Sequence, residues 1–111
     1  MSWNFHWGPH YVLVEPPSGV DAGLARAVEQ FLHTEISGRP STLTHYRDTW
    51  REVRAAEDPE LTEISGNATV QRLEGDRVVF EALYDQWPDT SMSVADFENL
   101  LSSFQEFLEG R

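Results

Sequence analysis

The sequence predicts an α+β fold in which a small antiparallel sheet, built from an N-terminal strand and a hairpin in the C-terminal half, is covered by about three helices. Two observations lead to this prediction. Two runs of β-branched and aromatic residues flank a tight turn, and three other segments carry apolar residues at steps of three and four. A chain of 111 residues suits one hydrophobic core, so we expect residues 1–111 to form a single domain.

The predicted hairpin consists of residues 68–73 and 77–84, which flank a turn that contains a Gly-Asp pair. Its register depends on the length of that turn. A two-residue turn places Val70 opposite Glu81, whereas a three-residue turn places it opposite Phe80 and exchanges the two faces of the strand. The face of the second strand that we expect to point toward the core carries Val78, Phe80, Ala82 and Tyr84.

The start of the C-terminal helix is the clearest local signal in the sequence. With Ser93 as N-cap, Asp96 occupies the third helical position, and Met92 and Phe97 stand where a hydrophobic staple requires apolar residues. The helix is predicted to begin near Val94 and to end at a glycine, Gly110. Its apolar stripe consists of Phe97, Leu100, Leu101, Phe104 and Leu108.

Two further helices are predicted in the first half of the chain. Ser18 and Asp21 have the spacing of a capping box, which predicts a helix that ends near Thr34. A break at residues 37–40 then precedes a second amphipathic helix, which is predicted to end before Asp58-Pro59. The apolar stripe of the first helix is Val20, Leu24, Ala27, Val28, Phe31 and Leu32. The apolar stripe of the second is Leu43, Tyr46, Trp50 and Val53.

The N-terminal segment predicts one or two strands. Trp3, Phe5 and Trp7 alternate with polar residues, and after the Gly8-Pro9 break residues 11–14 form a second extended run. Aromatic residues at this density can line a ligand pocket, but they are used more often for core packing, and we expect core packing here.

The formal charge of −11 is unevenly distributed along the chain. Residues 57–111 contain thirteen acidic residues against three arginines, whereas the first 56 residues contain six acidic residues and five arginines. Such a field repels nucleic-acid backbones and anionic membranes and speeds encounter with a basic partner. The alternative interpretation is an acidic surface that serves only to keep the protein in solution.

No pattern in the sequence indicates catalysis, a metal or a cofactor. His6 and His10 are four residues apart, but a glycine and a proline between them disfavour the helix that would bring them together. There is no cysteine, no Gly-x-Ser-x-Gly motif and no phosphate-binding glycine loop. We therefore expect a protein that is not an enzyme and has no cofactor. Because residues 1–11 lack the pattern of a secretory signal, we expect it in the cytoplasm.

The segment between the hairpin and the C-terminal helix has the composition of a protein interface. Tyr84, Asp85, Trp87 and Asp89 combine aromatic side chains with carboxylates that suit a basic partner. We predict these residues as partner-binding, with Trp87 as the anchor. In the alternative interpretation Trp87 folds back onto the hairpin as a structural lid. The acidic residues of the C-terminal helix form a second predicted binding region, which includes Glu98 and Glu106.

The order of several short segments carries a resemblance to known proteins. These segments are Ile64-Ser65-Gly66-Asn67, Leu83-Tyr84-Asp85, Ser93-Val94-Ala95-Asp96-Phe97 and Phe104-Gln105-Glu106-Phe107-Leu108. Over residues 60–109 the chain resembles small cytoplasmic immunity proteins of bacterial polymorphic and contact-dependent toxin systems. The resemblance implies a non-enzymatic inhibitor that binds a cognate toxin domain, often a nuclease, and it transfers no individual binding residue. The alternative function is that of an acidic adaptor or assembly subunit.

Overall fold

The structure, a computed structural model that describes residues 3–110, contains three α-helices and six strands in two antiparallel sheets. This arrangement confirms the predicted α+β class. None of the helices in the described part of the chain is long and apolar enough to cross a membrane. The elements are β1 (Asn4–Trp7), β2 (Val12–Glu15), α1 (Ala22–Phe31), a π-helical turn (Leu32–Ile36), α2 (Pro40–Ala55), β3 (Glu63–Ser65), β4 (Thr69–Glu74), β5 (Arg77–Ala82), β6 (Thr90–Ser93) and α3 (Val94–Glu109).

The predicted N-terminal strand does not join the sheet of the hairpin. It forms β1, which pairs only with β2, while the larger sheet has the order β3-β4-β5-β6. The reason is that both outer edges of the β4–β5 hairpin are already paired, one with β3 and the other with β6. Neither of these short strands was predicted from the sequence.

The central hairpin has the two-residue turn, because Glu74 lies opposite Arg77 and Val70 lies opposite Glu81. Gly75 has a φ of 61° at the first turn position, a conformation that glycine adopts without steric cost. Val78 and Phe80 are buried and Ala82 is partly buried, as predicted. The prediction was wrong for Tyr84, which lies beyond the end of β5 and is 73% exposed.

The helix α3 has the predicted cap and stripe. The Oγ of Ser93 accepts a hydrogen bond from the backbone N–H of Asp96 at 3.0 Å, and the staple residues Met92 and Phe97 are both buried. Gly110 is the C-cap. All five residues of the predicted apolar stripe are buried.

The helix α1 begins later than predicted. Its N-cap is Asp21, which accepts from the N–H of Leu24 at 3.0 Å, so Ser18 is not the capping residue. Residues 18–20 instead lie in a turn in which the N–H of Val20 donates to the carbonyl of Pro17 at 3.4 Å. At its other end α1 passes directly into the π-helical turn.

The helix α2 agrees with the prediction: Pro40 occupies the first turn, and the four predicted stripe residues are buried.

The helices cover the face of the larger sheet that carries Val78, Phe80 and Met92. At the centre of this core the rings of Phe31, Phe80 and Phe97 lie 5.7–5.9 Å apart, so that α1, β5 and α3 meet. The smaller sheet packs on α3, since the ring of Phe5 lies 4.9 Å from that of Phe104. The buried apolar side chains of both regions belong to one cluster.

The cap at Ser93 makes a first prediction. Ser93→Ala removes the acceptor for the N–H of Asp96, so we expect the free energy of unfolding to fall by ~1 kcal/mol. The measurement is chemical denaturation of the variant and of wild type. The control is Ser41→Ala at an exposed serine in the first turn of α2. Equal losses in the two variants would contradict a specific capping role for Ser93.

Candidate protein-binding surface

The loop between β5 and β6, residues 83–89, carries four of the six predicted binding residues. Leu83 and Tyr84 are exposed although both are large and apolar or aromatic, and Asp85 and Asp89 are exposed beside them. We call Leu83, Tyr84 and Asp85 the loop tip. The tip therefore combines apolar surface with negative charge, as the sequence analysis predicted for this segment.

Trp87 has the position that the lid interpretation describes. Its side chain is only 6% exposed, belongs to the core cluster and donates from Nε1 to the Oε1 of Gln30 on α1 at 2.7 Å. A buried tryptophan whose N–H is already bonded offers little surface to a partner. In this structure the exposed aromatic residue of the loop is Tyr84, three residues before Trp87 in the sequence.

Gln86 ties the loop tip to the body of the protein. Its Nε2 donates to the carbonyl of Ala68 and to the Oε1 of Gln30, each at 2.9 Å, and its Oε1 accepts from the N–H of Tyr84 at 2.8 Å. The N–H of Leu83 also donates to the carbonyl of Ala68, at 3.0 Å.

Between these bonds Asp85 has a φ of 55°, a left-handed conformation that aspartate tolerates better than most residues. The tip is thus exposed but held in one conformation.

The predicted acidic residues of α3 lie in a different environment. The Oε2 of Glu98 accepts from Arg54 at 2.7 Å and from the indole N–H of Trp50 at 3.2 Å, so its charge is engaged between α2 and α3. Glu106 is exposed on the same helix. The described contacts of the loop are with α1 and Ala68, so the loop and Glu98 do not form one cluster.

A partly buried carboxylate, which was not predicted from the sequence, supports the segment to which the loop is bonded. Glu35, in the π-helical turn, accepts from the backbone N–H groups of Asn67 (2.7 Å), Ala68 (3.3 Å) and Thr69 (2.9 Å), and from the Thr69 hydroxyl at 2.7 Å. A Cβ on Gly66 would overlap the carboxyl group of Glu35. We call this arrangement the Glu35 clamp. It fixes Ala68, whose carbonyl holds the loop.

The clamp continues into the core as a chain of hydrogen bonds. Thr69 accepts from the Nε2 of Gln71 at 2.8 Å, and the Oε1 of Gln71 accepts from the Tyr46 hydroxyl at 2.8 Å. Burial, with a smaller contribution from nearby Glu35, raises the pKa of Tyr46 well above its usual range, so Tyr46 remains a donor. The position of Gln71 gives one sequence signal for this chain of hydrogen bonds. With a two-residue turn Gln71 lies opposite Phe80 on the core face, where a buried polar side chain needs a hydrogen-bond partner.

The described part of the chain shows no arrangement that indicates a metal site. Within residues 3–110, no three His, Asp or Glu side chains are grouped so that they could hold a metal ion. His6 pairs with Glu15 at 3.0 Å on an exposed surface, whereas the ring of His33 bonds to the carbonyl of Val12 at 2.7 Å.

The second prediction concerns Trp87 and distinguishes a side chain that anchors the loop from one that binds a partner. Trp87→Ala removes a buried ring and should lower the free energy of unfolding by ~3–5 kcal/mol. The control is Tyr84→Ala, which removes an exposed ring from the same loop and should change stability by less than ~0.5 kcal/mol. Thermal and chemical denaturation measure both. A stable Trp87→Ala variant would show that the ring does not hold the loop.

The Glu35 clamp makes a third prediction, for a double-mutant cycle. Gly66→Ala should destabilise the wild type, because the new methyl group overlaps the Glu35 carboxyl group, but it should be nearly neutral in a Glu35→Ala background. We expect a coupling free energy of ~1–3 kcal/mol, measured from four denaturation curves. Additive effects would contradict the close approach of these two residues.

Comparison of the chain with protein-family models, with curated proteins and with solved structures found no match. The candidate surface is accordingly defined by its own residues: an exposed tip of Leu83, Tyr84 and Asp85, an exposed Asp89, and an anchor made of the partly buried Gln86 and the buried Trp87.

Proposed function

We propose that this chain is an immunity protein, which binds and neutralises a basic, nuclease-type bacterial toxin domain through the tip of its β5–β6 loop. The observation that carries the proposal is the loop tip itself. Tyr84 is 73% exposed on a loop that also carries the exposed carboxylates of Asp85 and Asp89 and that is fixed by the buried side chain of Trp87.

The geometry of the tip suits tight binding. An exposed tyrosine buries a large area on contact and has only two side-chain torsions to order, and such residues dominate the energy of many interfaces. Gln86 and Trp87 hold the backbone of the tip before any partner arrives. Pre-organisation of this kind reduces the entropy lost on binding, because little loop ordering remains to be done.

The charge of the chain supports a basic partner. With a formal charge of −11, the protein attracts a positively charged domain at long range and accelerates encounter. A nuclease that holds nucleic acid needs a basic surface, and an inhibitor that covers this surface needs carboxylates. Asp85 supplies one at the tip and Asp89 supplies another in the same loop, whereas Glu98 is less available because Arg54 and Trp50 already bond to it.

The fourth prediction tests this function with a basic toxin-domain protein selected from the genes that neighbour this one. Tyr84→Ala should weaken binding by ~30-fold or more, mainly through faster dissociation, because loss of a hot-spot ring commonly costs ~2 kcal/mol. Asp85→Asn/Asp89→Asn should slow association and reduce its dependence on salt. Surface plasmon resonance over a salt series measures both effects, and coexpression measures protection of the host cell.

The controls use matched changes away from the loop. Leu61→Ala removes another exposed apolar side chain, and Glu57→Gln/Glu60→Gln removes two exposed charges. Asparagine is chosen at position 85 because it tolerates positive φ. Wild-type affinity in both loop variants would reject the loop tip as the site. Tight binding of a basic partner without protection from its toxicity would favour the acidic adaptor instead.

A further inference from the structure

The loop tip is too small to be a whole interface. A stable protein complex buries about 800 Å² on each partner, from some 20–30 residues. Three side chains at a loop tip supply only part of that area, since a tyrosine contributes about 150–250 Å². If the proposed function holds, the partner must also contact a second region of this surface.

A second exposed aromatic region lies at the turn of the β1–β2 hairpin. Tyr11 is 55% exposed, and with Trp7 it lines an open groove of about 320 Å³ whose floor includes Phe104. We call this the hairpin groove. In the part of the chain that the structure describes, its lining contains no arginine and no carboxylate.

The aromatic rings of the hairpin groove are exposed but held in place. The ring of Tyr11 packs against that of His33 at 4.6 Å, and His33 in turn bonds to the carbonyl of Val12. The turn is closed by a bond from the N–H of Gly8 to the carbonyl of Tyr11 at 2.9 Å. A Cβ on Gly8 would lie 2.7 Å from that carbonyl oxygen, so the turn requires glycine. The ring of Trp7 stacks on Phe107 at 5.2 Å.

The hairpin groove is continuous with the β5–β6 loop across α1. A neighbouring groove, also of about 320 Å³, is lined by Arg26, Gln30 and Trp87, and His33 lines both grooves. Arg26 and Gln30 are four residues apart on α1, and His33 follows in the π-helical turn, so the three residues span about 10 Å along the helical axis. Loop, helix face and hairpin turn therefore form one band on the surface of the molecule.

We propose that the basic partner of the loop tip also occupies the hairpin groove, where a lysine or arginine of that partner packs against the ring of Tyr11. This inference rests on the proposed function and extends it along the band. An aromatic face attracts a cation, and no arginine of the described chain competes for this groove. A second copy of the chain fits less well, because two copies of charge −11 repel each other.

The test compares Tyr11 with an exposed apolar residue of the same hairpin that does not line the hairpin groove. Tyr11→Ala should weaken binding of the same toxin-domain protein about tenfold, whereas Tyr11→Phe should bind within about threefold of wild type, because the ring face is retained. The matched control is Leu13→Ala. Leu13 is 45% exposed and pairs with His6, on the other face from Trp7, so its removal should leave affinity unchanged.

Hydrogen exchange of the wild-type complex provides a second readout that does not depend on the fold of a variant. Protection of residues 10–13 together with 83–87 supports the inference. Protection of 83–87 alone, with Tyr11→Ala binding as wild type, overturns it and leaves the proposed function standing. Absence of any complex overturns both. A wild-type protein that sediments as a dimer, and becomes monomeric in Tyr11→Ala, also overturns it in favour of a second copy.

Discussion

The Glu35 clamp is the interaction on which the arrangement of this protein depends. A carboxylate from the π-helical turn accepts four hydrogen bonds from residues 67–69 and thereby fixes the start of β4 against the helical layer. These four hydrogen bonds are strong because each is made to a carboxylate and is therefore charge-assisted. Hydrogen bonds connect the clamp to the core through Thr69, Gln71 and Tyr46. The carbonyl of Ala68 connects it to the β5–β6 loop. Core and candidate surface thus share one support.

Within the β5–β6 loop, anchoring and exposure are divided between neighbouring residues. Gln86 and Trp87 bond to Gln30 and Ala68, and this leaves Leu83 and Tyr84 with their side chains outward. Such a division lets a loop present apolar surface without becoming mobile, because the exposed side chains are not the ones that hold it. For an inhibitor this matters, since a fixed tip loses less entropy on binding. Tyr11 is likewise exposed but held in place, because its ring packs against that of His33 beside the hairpin groove.

Local patterns were sufficient wherever neighbouring residues decide the structure. The cap of α3, the stripes of α2 and α3 and the hairpin were predicted because their causes lie within a few residues of one another. Local patterns failed where two candidates compete. Ser18 and Asp21 both resemble caps, and Asp21 is the one used. The N-terminal strand was placed in the wrong sheet, because the pairing of β3 and β6 with the hairpin edges has no clear sequence signal.

The sequence by itself determined the α+β class, the helix faces and the excess of negative charge, because periodicity and composition depend on residue types alone. Only the tertiary structure decided which members of the candidate site are accessible. Trp87 is buried because Gln30, 57 residues away, accepts its N–H, and Glu98 is engaged because Arg54, 44 residues away, reaches it. Among the described residues, the ring of Tyr84 has no such partner, and it remains at the surface. Exposure depends on contacts between segments distant in sequence, and such contacts exist only once the helices and sheets have packed together.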